Sequence, residues 1–386
     1  MRIGSRGVLA VVAAASLFVA ACSSTPAASS APSAVAPSAA PSTAASEAAS
    51  AAAPAGLPYT ATLKDGSTFT LASRIADKLK SGDKINYLFS YQSSSIPLFS
   101  AQYQAGYTKG LADAQAILPM NGQIVAPAAA AGDVNEQIAQ IQAQIDAGQV
   151  DCLSIEPATS DGFTKIANDT MAAGIPVFTV GVTSNGNEFT NFTQVPSKEG
   201  AQAAQIVLDW MKSSGNSLKV FAVSGGDPTQ FWAQGRMSSF VDTIKAAIPD
   251  AKFVNDASTG LTTSYDPAQT YDAYKAFIQG NPDLQFIENV DIGAEHADKA
   301  ITDAGLAGKI FTIGWNVSLA QLDAIDAGTQ VAALDQRWGE QAGFGAGACA
   351  ELLKNGNVLP NSQVLFPILK ANSAQARTDL NKILNP

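Results

Sequence analysis

The side chains best placed for chemistry stand just past short apolar runs, where strands of a parallel sheet would end. Glu156 follows the run 152–155 and precedes Pro157, so it points out of the sheet end. Asn289 and Asp291 follow Phe286 and Ile287, and Trp315 and Asn316 close the run that starts at Ile310. Gln336 closes the run 331–334, and Gln194 stands at a break in the pattern. Such groups suit recognition of a small hydroxylated molecule. A carboxylate accepts two hydroxyl protons, an amide both donates and accepts, and an aromatic ring covers an apolar C–H face. Asp291 is the preferred carboxylate; the alternative for each polar group is a helix cap or a hinge hydrogen bond. Arg236 and Arg337 fork onto ligand oxygens or brace acidic neighbours such as Glu340.

Reaction chemistry has less support. His296 is the single histidine, and it falls on a predicted helix one turn past Asp291. The three cysteines show no CxxC spacing, and Gly-x-Ser-x-Gly is absent, so no metal, no cofactor and no catalytic residue is expected. Gly343-Phe-Gly-Ala-Gly lacks the last glycine of a dinucleotide loop and reads as close helix packing. Ser224-Gly225-Gly226 reads as a turn, because Asp227 beside it opposes a phosphate. Cys152 lies in a strand-like run and Cys349 in a small-residue helix; both are expected as buried free thiols.

The N-terminal stretch carries a different chemistry. Arg2 and Arg6 precede an apolar run that ends in Val19-Ala20-Ala21-Cys22, the form of a bacterial lipobox. Residues 1–21 are expected to be a lipoprotein signal peptide, and Cys22 the lipidated residue that anchors the chain outside the cytoplasm. Residues 22–58 are almost wholly Ala, Ser, Pro and Thr, a composition expected to form a disordered tether. The net charge of −10 and the lack of a basic stretch argue against nucleic acid as a partner.

Elements able to position the strand-end residues recur from Lys84 onward. A helix is predicted over 98–118, with Phe99, Tyr103, Tyr107, Leu111 and Ala114 at helical spacing. Asp133 and Glu136 form a capping-box pattern ahead of the next helix. Strands at 123–126, 152–155 and 175–180 alternate with helices, and after a break at 192–196 the pattern restarts. Strands follow at 219–223, 253–256, 286–289, 310–313, 331–334 and 363–369. This beat predicts an α/β protein with two doubly wound parallel-sheet lobes. A helix is predicted at 71–80, within an N-terminal extension (59–83) to which the sequence assigns no role.

Several local patterns, in this order, resemble the ribose- and galactose-type periplasmic binding proteins, the type I solute-binding fold, over about 84–369. They are Ile96-Pro97-Leu98-Phe99, Ala173-Gly174-Ile175-Pro176-Val177, Thr312-Ile313-Gly314-Trp315-Asn316, and Ala324-Ile325-Asp326-Ala327-Gly328 followed by Asp335-Gln336. The resemblance implies three hinge crossings, near 194–196, at 336–337 and after Phe366. One lobe would then hold 84–194 and 337–365, the other 196–336, with 366–386 as the third crossover and a terminal helix. It also places Phe99, Trp232, Tyr265 and Trp315 beside the cleft. The function it implies is the substrate-binding lipoprotein of an ABC importer, a monomer. Such a protein closes on a small neutral solute, a monosaccharide or polyol, and delivers it to a permease. A sensory receptor or an enzyme on the same fold are the alternatives. The chain departs from the family pattern at Gly181-Val182, where relatives carry an Asp-Arg or Asp-aromatic pair, and at Ile96, where they carry Asn or Asp.

Overall fold

Strand and helix alternate because apolar runs of four to six residues are interrupted by amphipathic stretches with clear stop signals. The computed structural model describes residues 59–129, 133–193, 195–360 and 365–384. The expected signal peptide, Cys22, the tether and Gln194 therefore lie outside the described residues.

The chain opens with a hairpin, β1 (Thr60–Thr62) and β2 (Thr68–Thr70), and helix α1 (Ser73–Ser81). The first sheet follows: β3 (Ile85–Ser90), α2 (Pro97–Gln115), β4 (Met120–Val125), α3 (Val134–Asp146), β5 (Cys152–Ile155), α4 (Ser160–Ala172), β6 (Val177–Gly181) and β7 (Thr190–Thr193). Its strand order is β4-β3-β5-β6-β7, all parallel. The strand β7 was not anticipated, since Thr-Asn-Phe-Thr has no apolar run; it forms as an edge against β6. The Asp133 side chain caps α3 by accepting from the Glu136 amide at 2.9 Å.

The second lobe contains α5 (Pro196–Ser214), β8 (Val220–Gly225), α6 (Phe231–Ala247), β9 (Lys252–Phe253), β10 (Leu261–Thr262) and α7 (Pro267–Gly280). It continues through β11 (Phe286–Asn289), α8 (Ala294–Asp303), β12 (Phe311–Trp315), α9 (Leu319–Ala327) and β13 (Gln330–Asp335). The chain then returns to the first lobe as α10 (Trp338–Asn355), and comes back as β14 (Phe366–Ile368) and α11 (Ser373–Leu384). The second sheet runs β10-β8-β11-β12-β13-β14, with β9 also on β8; β14 alone is antiparallel. Alternate strand residues feed opposite faces. Phe221, Val223 and Phe286 join the core under α5 and α6, whereas Ala222 and Ile287 join the core under α7 and α8. The α/β class with two doubly wound lobes is as the sequence predicts.

Helix α10 lies on α2 at backbone contact. A Cβ at Gly106 would sit 2.0 Å from the Gly339 carbonyl oxygen, and one at Gly110 2.3 Å from the Gly343 Cα. In the run at 343–347, Gly343 is thus helix packing, while Gly345 packs on Ser154 of β5 and a Cβ at Gly347 would meet nothing within 4 Å. One expectation is corrected here: Cys152 on β5 and Cys349 on α10 are bonded as a disulfide, not held as two thiols. Both are fully buried, and the return of α10 onto the first sheet brings together two positions 197 residues apart.

The N-terminal extension is part of the first lobe. Phe69 packs edge-on against Phe189, with ring centroids 4.9 Å apart. The Ala72 amide donates to the Gly174 carbonyl, and Arg74 and Lys78 both reach the buried Asp151 carboxylate. Among the described residues, no helix is long and apolar enough to cross a membrane.

Candidate functional site

In each sheet the chain leaves its first strand on one side and later returns on the other. These switch points lie between β3 and β5, and between β8 and β11. Loops diverge there, leaving a crevice beyond the carboxyl ends of the strands. The two crevices face one another across a cavity of about 130 Å³. That is close to the roughly 150 Å³ that accepts a benzene ring, so the space suits one six-membered ring. The lobes touch beside it, where Ile292 of the second lobe packs on the core of the first.

On the first lobe, Gln92 follows β3 and Glu156 follows β5. The Gln92 amide and side chain donate to the two Glu156 oxygens at 2.9 and 2.7 Å. Burial pushes the Glu156 carboxyl up to about 8, with Gln92 pulling it back. Phe99 meets Trp338 edge-on at 4.8 Å, giving this side an aromatic floor.

On the second lobe, Asp227 follows β8 and Asp291 follows β11. Asp227 is partly buried, but bonds from Thr229 and Gln230 outweigh that and keep its carboxyl below the usual range. Burial raises the Asp291 carboxyl, opposed by the Ile292 amide that donates to it at 2.8 Å. Burial and the nearby Asp291 hold the Tyr265 hydroxyl far above its ordinary value.

Arg236 supports this half from below. It is 4% exposed, and its Nε donates to Glu199 at 2.9 Å, one Nη to the Val290 carbonyl at 2.9 Å and the other to Gln336 at 3.0 Å. The guanidinium lies 4.0 Å from the Trp315 ring centroid and 5.0 Å from that of Trp232. Glu199 faces it because α5 and α6 meet backbone to backbone at Gly200, where a Cβ would lie 2.0 Å from the Arg236 carbonyl oxygen. Burial holds the Glu199 carboxyl above its ordinary value, and Arg236 draws it back down. Glu288 is fully buried beside these groups; burial holds its carboxyl well above the ordinary range, with the Arg236 charge and the Trp315 side chain drawing it back.

Of the side chains expected at the site, the structure brings Phe99, Glu156, Trp232, Tyr265, Asp291 and Gln336 together around the cavity. Others stand behind them. Trp315 is wholly buried beneath Arg236. Asn289 donates to Tyr274 and accepts from the Asp291 amide, shaping that loop. Asn316 adopts a left-handed backbone, φ 60°, and accepts from Gln336 at 2.6 Å. Arg337 caps α10, pairs with Glu340 and lies over Phe366, at a separate groove between α2, α10 and α11. Gln92, Asp227, Tyr103, Trp338 and Gln341 line the cavity without having been singled out. The strand-end rule would have found Gln92 and Asp227; Trp338 had no signal beyond its place after a crossover.

The raised Glu156 carboxyl makes stability depend on pH. The folded state holds a proton that the unfolded chain releases near 4.5, so the contribution is complete below about 4.5 and is lost as pH rises to about 8. Urea unfolding of the ligand-free protein should therefore show the wild type losing stability relative to Glu156→Gln over that interval. A constant difference between the two would mean that the carboxyl titrates normally.

The sequence profile of the periplasmic binding protein domain matches residues 89–357. No curated protein matches the chain. Solved structures share its fold. The Caulobacter myo-inositol binding protein bound to myo-inositol has a TM-score of 0.62 at 21% identity, covering 75% of this chain and 94% of its own. An ABC transporter solute-binding protein from Agrobacterium vitis with bound D-fucose gives 0.63 at 18%, covering 76% and 98%. A Bacteroides fragilis protein described as a LacI transcriptional regulator gives 0.62 at 14%, covering 76% and 99%. With most of its length matched by the family profile, the chain belongs to the periplasmic binding protein domain family.

Proposed function

We propose that this protein is the solute-binding lipoprotein of an ABC importer. It takes a monosaccharide or a polyol into the cleft between its lobes, closes on it and delivers it to a permease. The observation that carries this reading is the cavity itself. It is sized for one ring, lies at both switch points, and is lined by aromatic faces together with buried carboxylate, amide and hydroxyl groups. Those are the two surfaces that a sugar or cyclitol presents in reverse. The bound inositol and fucose of the structural relatives agree with it. The lobes would comprise about 84–194 with 337–365, and 196–336, the three crossings serving as a hinge.

The Cys152–Cys349 disulfide supports maturation in an oxidising compartment, in keeping with lipidation at Cys22. A DNA-binding regulator on this fold is disfavoured by the net charge of −10.

The test is a thermal-shift screen of the full chain in detergent against sugars, polyols, nucleosides and amino acids. A ligand at a hundred times its Kd stabilises by about 2.7 kcal/mol, a shift of several degrees. One sugar or polyol class is expected to respond, with the compound recovered intact. Response confined to nucleosides or amino acids, or turnover of the compound, would overturn the reading.

A further inference from the structure

One side chain of the cavity is out of keeping with the rest. The lining residues are buried or half-buried except for Phe231, which is 50% exposed and the most exposed large apolar residue among those described. It opens α6 directly after Gln230, so it marks the mouth of the cavity. One turn along the same helix face, Gly235 lies against the start of α5, where a Cβ would meet the Pro196 Cβ at 2.8 Å. That contact holds the first turn of α6 at the cavity's edge. The neighbouring Trp232 packs against the second-lobe core, with the Arg236 guanidinium 5.0 Å from its ring centroid. Phe99 and Trp338 cover one another at 4.8 Å, but Phe231 has no such ring partner among the described residues. Closure does not account for its exposure, because the lobes already touch at Ile292 while this ring remains half in water.

From this we infer that the ligand is a glycoside: one ring fills the cavity, and a second sugar ring linked to it lies at the mouth with its C–H face on Phe231. The inference rests on the solute-binding reading above and extends the ligand of that same site. A cavity of about 130 Å³ has no room for both rings, so whatever the first ring carries must leave by the mouth. A second pyranose suits a single half-exposed aromatic better than a wholly apolar substituent does. Its C–H face covers the ring, while the hydroxyls on its other side keep their water and need no protein partner. Taking these two apolar faces out of water should tighten binding about tenfold.

Titration calorimetry of the full chain in detergent tests this, by comparing a free ring with glycosides that contain it. The pairs are D-glucose with maltose, cellobiose and trehalose, D-galactose with melibiose and lactose, and myo-inositol with galactinol. In at least one pair the glycoside is expected to bind about ten times more tightly. Phe231→Ala should bring that ratio close to one, whereas Phe231→Trp should keep or raise it, with an unchanged Tm showing that both variants are folded. If every free ring binds as tightly as its glycosides, or more tightly, the inference is overturned while the solute-binding reading stands. A ratio that Phe231→Ala leaves unmoved also overturns it, and equal weakening of both members would place Phe231 in the cavity or in closure instead. If no sugar and no polyol binds, the solute-binding reading itself falls and takes the inference with it.

Discussion

Replacing Arg236 by methionine is expected to lower the unfolding free energy by about 3–5 kcal/mol, the range for a buried ion pair that loses one partner. The variant leaves Glu199, whose side chain is 0% exposed, without its guanidinium. It also removes donors from the Val290 carbonyl and Gln336. A methionine fills much of the space between the Trp232 and Trp315 rings, so the loss would be electrostatic rather than a cavity effect. Urea unfolding measures it, and the double variant Arg236→Met/Glu199→Gln supplies the control. With both charges gone, most of the stability should return, because the Glu199 charge is no longer buried without its partner. Full stability in the single variant would show that Glu199 is already neutral in the wild type. Ligand affinity should fall in single and double variants alike, since Gln336 and the Val290–Asp291 turn lose the same support.

Breaking the disulfide should have an effect of similar size. The bond closes a loop spanning 197 residues, within which the second lobe lies except for β14 and α11. Cross-linking positions so far apart restricts the unfolded chain strongly, and Cys152→Ser/Cys349→Ser is expected to cost about 2–5 kcal/mol. Loss should be largest at α10, which would then be held on the first lobe only by its contacts with α2 and the sheet. Hydrogen exchange should show α10 opening at lower free energy than α2 in the variant, and the two opening together in the wild type. An unchanged Tm after unfolding and refolding in reductant would remove the bond from any role in stability.

Much of the architecture follows from local sequence. Apolar runs such as 152–155 and 331–334 read as buried strands at that length, and intervening stretches with Asp133, Pro267 or Gly174 at their ends carry the signals that start or stop helices. A polar residue at the end of such a run emerges at the sheet's edge, which is why Glu156, Asp291 and Gln336 were identifiable without the structure. The disulfide was not identifiable, because pairing depends on where α10 returns, a long-range event that neither Cys152 nor Cys349 reports in its neighbours. Trp315 and Asn316 also sit at a strand end, yet the left-handed turn at Asn316 and the crossing of α6 place them under Arg236 rather than at the cavity.

The sequence by itself therefore determined the alternation of elements, the two lobes and the polar strand ends, since each rests on spacing over one or two turns of chain. Tertiary structure alone decided which of those ends face one another and which charges are matched. It set Arg236 against Glu199 through the contact at Gly200, and it gathered apolar and polar side chains from both lobes around one cavity. Those outcomes depend on how helices from distant segments pack, and packing is a property of surfaces brought together in space rather than of neighbours along the chain.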